Sequence, residues 1–398
     1  MMIIKPRIKG FLCTTSHPLG CEVDVKNQIE HVKQAGVIAD GPKRVLVIGA
    51  SGGYGLASRI TAAFGCGAAT IGVFFERPAV KNRTASPGWY KSAAFTRAAE
   101  DAGLYAANLN GDAFSAELKQ ATIELIKKDL GQIDMVIYSL AAPARQLPDG
   151  SLVRSTLKPI GEPFEGATID LNSGELRAVS LEPASQQEVN DTIKVMGGED
   201  WELWLAALLE ADVLAEGCIT TNYTYLGSEV TWPIYYHGTI GKAKEDLDRA
   251  ALALAQPLKK INGHAYVAVM KGLMTQAASA IPGMSIYLSL LFKVMKAKGT
   301  HEGCVEQTTR LFKNMFMDSA LQIDESGRLR MDDWELSEDI QTFVKANWSK
   351  VTAENLMEIS DFAGYRQAFL QMHGFDFPGV DYAAEIDPEV LMPLAFGE

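Results

Sequence analysis

Paired cysteine is what this chain of 398 residues most plainly lacks. Five cysteines are present, Cys13, Cys21, Cys66, Cys218 and Cys304, an odd and scattered set with no C-x-x-C. A disulfide framework is therefore excluded as the basis of its stability, and reduced thiols in a cytoplasmic protein are expected. The six histidines, at 17, 31, 237, 264, 301 and 373, show no ligand spacing such as H-E-x-x-H, so no metal centre is expected. Positive charge is outweighed as well. Thirty-seven lysines and arginines against 49 aspartates and glutamates give a net charge of −12, which argues against a nucleic-acid partner, because phosphate binding needs a basic face. The most apolar later stretch, 277–292, is broken by Pro282-Gly283 and is short for a membrane span; a buried or substrate-facing segment is expected there instead. Residues 1–7 carry charge too early for a secretory signal. No serine elbow and no cysteine–histidine pairing points to hydrolysis, and no internal repeat, linker or low-complexity tract interrupts the chain.

What the chain does have is a strand running into a glycine-rich turn, Val45-Leu46-Val47-Ile48-Gly49-Ala50-Ser51-Gly52-Gly53-Tyr54-Gly55. The spacing Gly49-x3-Gly53-x-Gly55 lets the backbone turn sharply and approach a pyrophosphate. Helical residues follow at 56–64, so that phosphate would lie on a helix N-terminus, where free N–H groups and the dipole favour negative charge. A second apolar run, 69–75, ends in Glu76. A carboxylate there can accept hydrogen bonds from the adenosine ribose hydroxyls and repels a 2′-phosphate, which favours NADH over NADPH; Arg77 next door pulls the other way.

Apolar runs of strand length at 45–48, 69–75, 104–108 and 135–139 alternate with helical patterns at 92–102 and 115–129. Alternation of this kind predicts an α/β fold: a Rossmann-type, doubly wound parallel sheet with helices on both faces and ligands beyond the carboxyl ends of the strands. Asp112 at one strand exit is placed to accept from an adenine amino group, and the Leu140-Ala141 backbone at the next to line the adenosine. From 145 to about 188 the periodicity breaks into Pro, Gly, Ser and Thr, which reads as an insertion carrying a β-hairpin over the site. A helix at 201–210, a strand at 218–225, a helix at 240–259, a strand at 265–270 and helices at 285–297, 306–317 and 337–348 complete the reading. One elaborated domain is expected: core about 42–295, insertion about 145–198, and a helical extension about 296–398.

A reductase of this architecture needs a phenol beside an ammonium, to polarise an oxygen, supply a proton and hold the nicotinamide ribose. No usable Y-x3-K occurs in the right place; the chain reads instead Tyr235-Tyr236-His237-Gly238-Thr239-Ile240-Gly241-Lys242-Ala243-Lys244. At about 100° per residue, a continuous helix would put Tyr235 and Lys244 on opposite faces and bring Lys242 nearly onto the face of Tyr235. Tyr235 and Lys244 cooperate only if Tyr235 sits ahead of the helix, which Gly238 and Gly241 permit, with Thr239 as the candidate N-cap. Both lysines stay open on geometry alone. Tyr236 is the rival of Tyr235, and neighbouring side chains in an extended segment face opposite ways.

The Gly-Ala-Ser-x-Gly-Tyr-Gly turn, the acid closing the second strand and Tyr-x8-Lys together resemble the FabV-type trans-2-enoyl-thioester reductases, elaborated relatives of the short-chain dehydrogenases. Further stretches resemble that family's blocks: Arg59 to Gly65, Met196 to Trp201, Leu291 to Lys296 and His301 to Cys304. The likeness covers essentially the whole chain. It implies NADH-dependent reduction of a 2-enoyl chain carried on acyl carrier protein or coenzyme A, the last step of a fatty-acid elongation cycle, by a monomeric enzyme. By matching positions, Tyr235 would be the proton donor, Lys244 would bind the cofactor ribose and Tyr225 would contact substrate. The cofactor would meet Gly49, Ala50, Ser51, Gly52, Gly53, Tyr54, Phe75, Glu76, Asp112, Ala113, Leu140, Ala141, Leu273, Met274 and Thr275. Two other readings are compatible with a glycine turn and a tyrosine–lysine pair: a carbonyl or 3-oxoacyl reductase, and a dinucleotide-binding regulator without turnover.

Overall fold

The computed structural model describes residues 1–81, 83–147, 149–317 and 321–397. Its centre is a seven-stranded sheet, numbered here as the strands enter it: β1 Arg44–Ile48, β2 Ala69–Phe74, β3 Ala106–Asn110, β4 Ile133–Tyr138, β5 Leu214–Thr224, β6 His264–Val269 and β7 Arg328–Arg330. The order is β7-β6-β5-β4-β1-β2-β3, all parallel. This is the doubly wound order with one strand added beyond β6, and its direction of growth reverses between β1 and β4, where a dinucleotide crevice opens. Strands covered on both faces read as continuous apolar runs. Val45, Leu46, Val47 and Ile48 are accordingly fully buried.

Helices Pro18–Ala35, Gly53–Ile60 and Pro87–Asp101 share one face of the sheet with Cys304–Phe316, joined through Val32, Leu56, Ile60, Phe95 and Val305. The opposite face holds Ala116–Asp129, Glu199–Glu210 and Thr239–Leu258, packed through Ile126, Trp201, Trp204, Leu208, Leu247 and Leu254. A third apolar core lies apart from these two. It combines the hairpin Phe164–Ile169 with Leu176–Leu181, the helix Met284–Lys298 and the C-terminal helices Glu338–Trp348 and Phe362–Met372 around Tyr235.

Several expected elements shift. The third strand lies two residues later than its apolar run suggests, because Asn108 and Asn110 belong to it and bond the C-terminal tail and the Glu76 backbone. The first crossover helix starts at Gly53 rather than 56 and passes into a π-helical turn, Thr61–Gly65. Strand β5 starts before Cys218 through an irregular lead-in, with Gly217 at φ 74°. The insertion carries two hairpins rather than one, the second pairing Ala144–Gln146 with Leu152–Arg154. The segment 277–292 is buried from Met284 onward.

Candidate active site

At the crevice, the glycines divide into two kinds. Gly49, at φ 86°, and Gly55 allow the chain to close on itself: a β-carbon would stand 2.3 Å from the Ser139 carbonyl oxygen at Gly49 and 1.9 Å from the Gly49 oxygen at Gly55. Gly52 and Gly53 face open space; nothing lies within 4 Å of a β-carbon on Gly52, and only Thr275 Cγ2, at 3.8 Å, approaches one on Gly53. The helix that starts there has no side-chain cap. Its first N–H groups therefore point into a cradle with room for phosphate.

Glu76 lies just beyond the end of β2. Ser51 Oγ donates to its Oε1 at 2.7 Å, and Asn110 clamps its backbone, accepting from Glu76 N at 2.8 Å and donating to its oxygen at 3.0 Å. Burial raises the carboxyl pKa while hydrogen bonds from Ser86 and Ser51 oppose the rise. Gly88 must be small, since a β-carbon there would stand 2.1 Å from Glu76 Oε1. Phe75 is 78% exposed beside it, an apolar face without cover. Asp112 is exposed and accepts from Phe114 N at 3.0 Å, whereas Ala113 is buried and its carbonyl accepts from Trp204 Nε1. Leu140 and Ala141 follow β4 after Ser139. An uncapped helix start, an open double-glycine cradle and a carboxylate just beyond the second strand fit a nicotinamide dinucleotide.

The tyrosine–lysine region resolves what spacing left open. Residues 229–237 form consecutive turns, and the helix begins only at Thr239. Tyr235 thus stands ahead of it, with its carbonyl accepting from both Gly238 N and Gly241 N at 3.1 Å. Both glycines are obligatory here: β-carbons would lie 2.6 Å from the Ile234 oxygen and 1.9 Å from the Tyr236 oxygen, respectively. Gly238, not Thr239, is the N-cap; the Thr239 hydroxyl instead donates to the Thr156 oxygen at 2.5 Å and ties the helix to the insertion. Lys242 turns outward to Glu245 at 2.8 Å, while Lys244 turns inward and donates to the Tyr223 oxygen at 3.2 Å. Burial lowers the Lys244 pKa to about 8.

Tyr235 packs edge-on against Tyr225, ring centroids 5.0 Å apart. Tyr236 faces the other way, against Trp232 and His237. Among the described residues the Tyr235 hydroxyl has no hydrogen-bond partner, and burial pushes its pKa up, so the phenol stays protonated. The cause is burial, where a neighbouring ammonium was expected to pull the value down.

Leu273, Met274 and Thr275 follow β6 and return to the glycine turn; Tyr54 Oη donates to the Lys271 oxygen at 3.0 Å, linking the two loops. Motif reading missed Glu335. It lies in a turn after β7, wholly buried, and accepts from Tyr225 Oη at 2.8 Å and from Gly272 N at 2.5 Å. No local pattern marks it, since it is one acid among Asp332, Asp333 and Glu335.

The chain is similar to known proteins over nearly its whole length. Residues 83–317 match the catalytic region of trans-2-enoyl-CoA reductase, and residues 3–81 match the NAD(P)H binding domain of the same enzyme. The chain belongs to the trans-2-enoyl-CoA reductase family. It is 57% identical over 391 residues to an enoyl-[acyl-carrier-protein] reductase [NADH] of Serratia proteamaculans, and 56% identical over 390 residues to the FabV enzyme of Aeromonas salmonicida, each alignment covering 98% of both chains. The fold superposes on the Clostridium acetobutulicum trans-2-enoyl-CoA reductase in complex with NADH, with a TM-score of 0.95 at 43% identity over 97% of this chain and 98% of that one. For the Treponema denticola enzyme in complex with NAD the TM-score is 0.93 at 48% identity, over 98% of both.

Residues 323–386 match a model described as an enoyl reductase FAD binding domain. That segment has no strand, glycine turn and helix in succession: its strand is the three-residue β7. Two of its arginines are engaged, Arg328 with Asp248 and Arg330 with Asp332. It offers no dinucleotide cradle of the kind found at Gly52–Gly53.

Proposed function

We propose that this protein reduces the trans-2 double bond of an enoyl thioester, carried on acyl carrier protein or coenzyme A, at the expense of NADH, the last step of the fatty-acid elongation cycle. The observation that carries this reading is the buried, protonated phenol of Tyr235, without a hydrogen-bond partner among the described residues, packed against Tyr225 and standing ahead of the helix that turns Lys244 inward. NADH, when bound, supplies the hydride that adds to the β-carbon and drives negative charge onto the thioester oxygen. Tyr235 donates a hydrogen bond to that developing enolate, in a site where burial makes such a bond strong. Lys244 holds the nicotinamide ribose and adds positive charge nearby. The α-carbon then takes up the proton that Tyr235 gives, which solvent restores to the phenol, leaving the saturated acyl thioester and NAD⁺.

Glu76, held by Ser51, selects NADH by accepting from the ribose hydroxyls. Gly49, Ala50, Ser51, Gly52, Gly53 and Tyr54 line the pyrophosphate, Phe75, Asp112, Ala113, Leu140 and Ala141 the adenosine, and Leu273, Met274 and Thr275 the nicotinamide. Tyr225 lies against the substrate. The chain acts as one elaborated Rossmann domain, a cytoplasmic monomer; its five free thiols support the compartment, and light scattering near 43.2 kDa checks the state. No helix among the described residues is long and apolar enough to cross a membrane. Mixing the protein with NADH and crotonyl-CoA tests the function: absorbance at 340 nm falls with enzyme present. No loss with short or long enoyl chains would sink the reading.

A further inference from the structure

The C-terminal segment reaches the reducing end of the cleft through one side chain. Strand β7 adds to the sheet edge beside β6, and Met331 N continues the ladder to the Val269 oxygen at 2.8 Å. This register delivers the next turn, 333–336, to the carboxyl end of the sheet, exactly where ligands bind in such folds. Glu335 projects from that turn and is wholly buried. Its Oε1 accepts from Tyr225 Oη at 2.8 Å and from Tyr287 Oη at 2.5 Å, and its Oε2 accepts from Gly272 N at 2.5 Å. Gln341 Nε2 donates to the Glu335 backbone oxygen at 2.7 Å, which fixes the turn itself.

Three donors converge on one carboxyl, and Gly272 N can only donate. Burial raises the pKa of this group; the Lys271 ammonium and the three hydrogen bonds counter it. Space is equally constrained. A β-carbon on Gly272 would lie 3.1 Å from Tyr225 Oη and 3.4 Å from Glu335 Oε1. Tyr225 and Tyr235 are ring neighbours, so two phenols stand at the same place in the cleft, but only one has its proton committed elsewhere.

We propose that Glu335 is a positioning residue for the reduction: its carboxylate holds the Tyr225 proton away from the substrate oxygen, leaving Tyr235 as the donor, and anchors the start of the 272–275 loop against the nicotinamide. The proposal rests on the reductase reading above and assigns to the C-terminal segment a direct part in it. One carboxylate thereby couples substrate orientation to cofactor orientation.

Glu335→Gln keeps shape and volume but sets an amide N–H₂ against either a phenol or the Gly272 N–H. Its kcat on crotonyl-CoA is expected to fall about tenfold and its KM for NADH to rise about threefold, with circular dichroism unchanged. Combining it with Tyr225→Phe separates the two routes. If Glu335 acts on chemistry through Tyr225, its effect on kcat shrinks to about twofold or less in that background, while its effect on the NADH KM persists through Gly272. Fully additive losses in kcat, as a merely structural role would produce, overturn the proposal. Tyr287→Phe, which leaves the carboxylate in place but removes one of its donors, gives a second arm should Glu335→Gln fold poorly: a loss of about threefold in kcat supports the proposal, and wild-type kinetics refute it. A wild-type protein inert toward every enoyl thioester would instead overturn the reductase reading itself.

Discussion

The two ends of the cleft are built differently. At the nucleotide end, strand β1, the turn Gly49–Gly55, strand β2 and Glu76 are consecutive, so local backbone chemistry makes the site: two glycines to close the turn, two to leave room, and a serine to hold the acid. At the other end, Tyr225, Gly272, Tyr287 and Glu335 come from separate segments joined by hydrogen bonds, and Tyr235 packs against Tyr225 within the third apolar core. Binding a dinucleotide is a local property of this chain. The grouping of Tyr225, Tyr235, Tyr287 and Glu335 is a global one.

The comparison breaks first at Tyr235. Tyr235→Phe should lower kcat by about 10²- to 10⁴-fold, the range for loss of a positioned acid, with NADH affinity by fluorescence titration changed little. An equal loss of both would mean that the two ends are not separable. Next, Lys244→Ala should lower kcat/KM by about 10²-fold, whereas Lys242→Ala, which only releases Glu245, should stay within about twofold. The reverse ranking would return the ribose contact to the lysine that an unbroken helix favours.

The nucleotide end is sharpened by Glu76→Ala. The wild-type protein should prefer NADH at least about tenfold, some 1.4 kcal/mol of differential binding, and the variant should lose that margin; equal use of NADPH by the wild type contradicts the role of Glu76. The smallest effect is in pH. The Lys244 ammonium titrates near pH 8, so kcat/KM should fall to half its plateau near that pH and decline above it, while a Lys244→Arg variant that retains turnover should hold its rate further into alkali. The stability sign is opposite. Because the folded value lies below the ordinary lysine value of 10.5, the unfolded chain binds more protons between about pH 8 and 10.5, and Lys244's contribution to stability rises with pH across that window.

How much was legible in the sequence follows the same division. The glycine turn and the acid that closes the second strand were readable because each is a residue type at a fixed distance along a strand, turn and helix. The parallel sheet was readable from alternation, although β3 slid by two residues because its buried asparagines do not look like strand residues. Tyr235 was readable only with a rival beside it, and helix geometry pointed to Lys242. Turns at 229–237 changed the phase, and Gly238 took the cap expected of Thr239 because the threonine hydroxyl was engaged by the insertion. Glu335 left no trace in any local pattern. Its position depends on a three-residue strand that gains its stability from the sheet edge, a long-range pairing invisible to periodicity.

By itself, then, the sequence determined a doubly wound sheet, a glycine turn with an open cradle and an acid at the end of the second strand, since these follow from backbone freedom and side-chain spacing over short stretches. Tertiary structure alone decided which tyrosine faces the cleft, which lysine turns inward and which carboxylate engages Tyr225. Those choices depend on helix phase, burial and hydrogen bonds between segments as far apart as residues 225 and 335, and they are made only when the third core closes over the sheet.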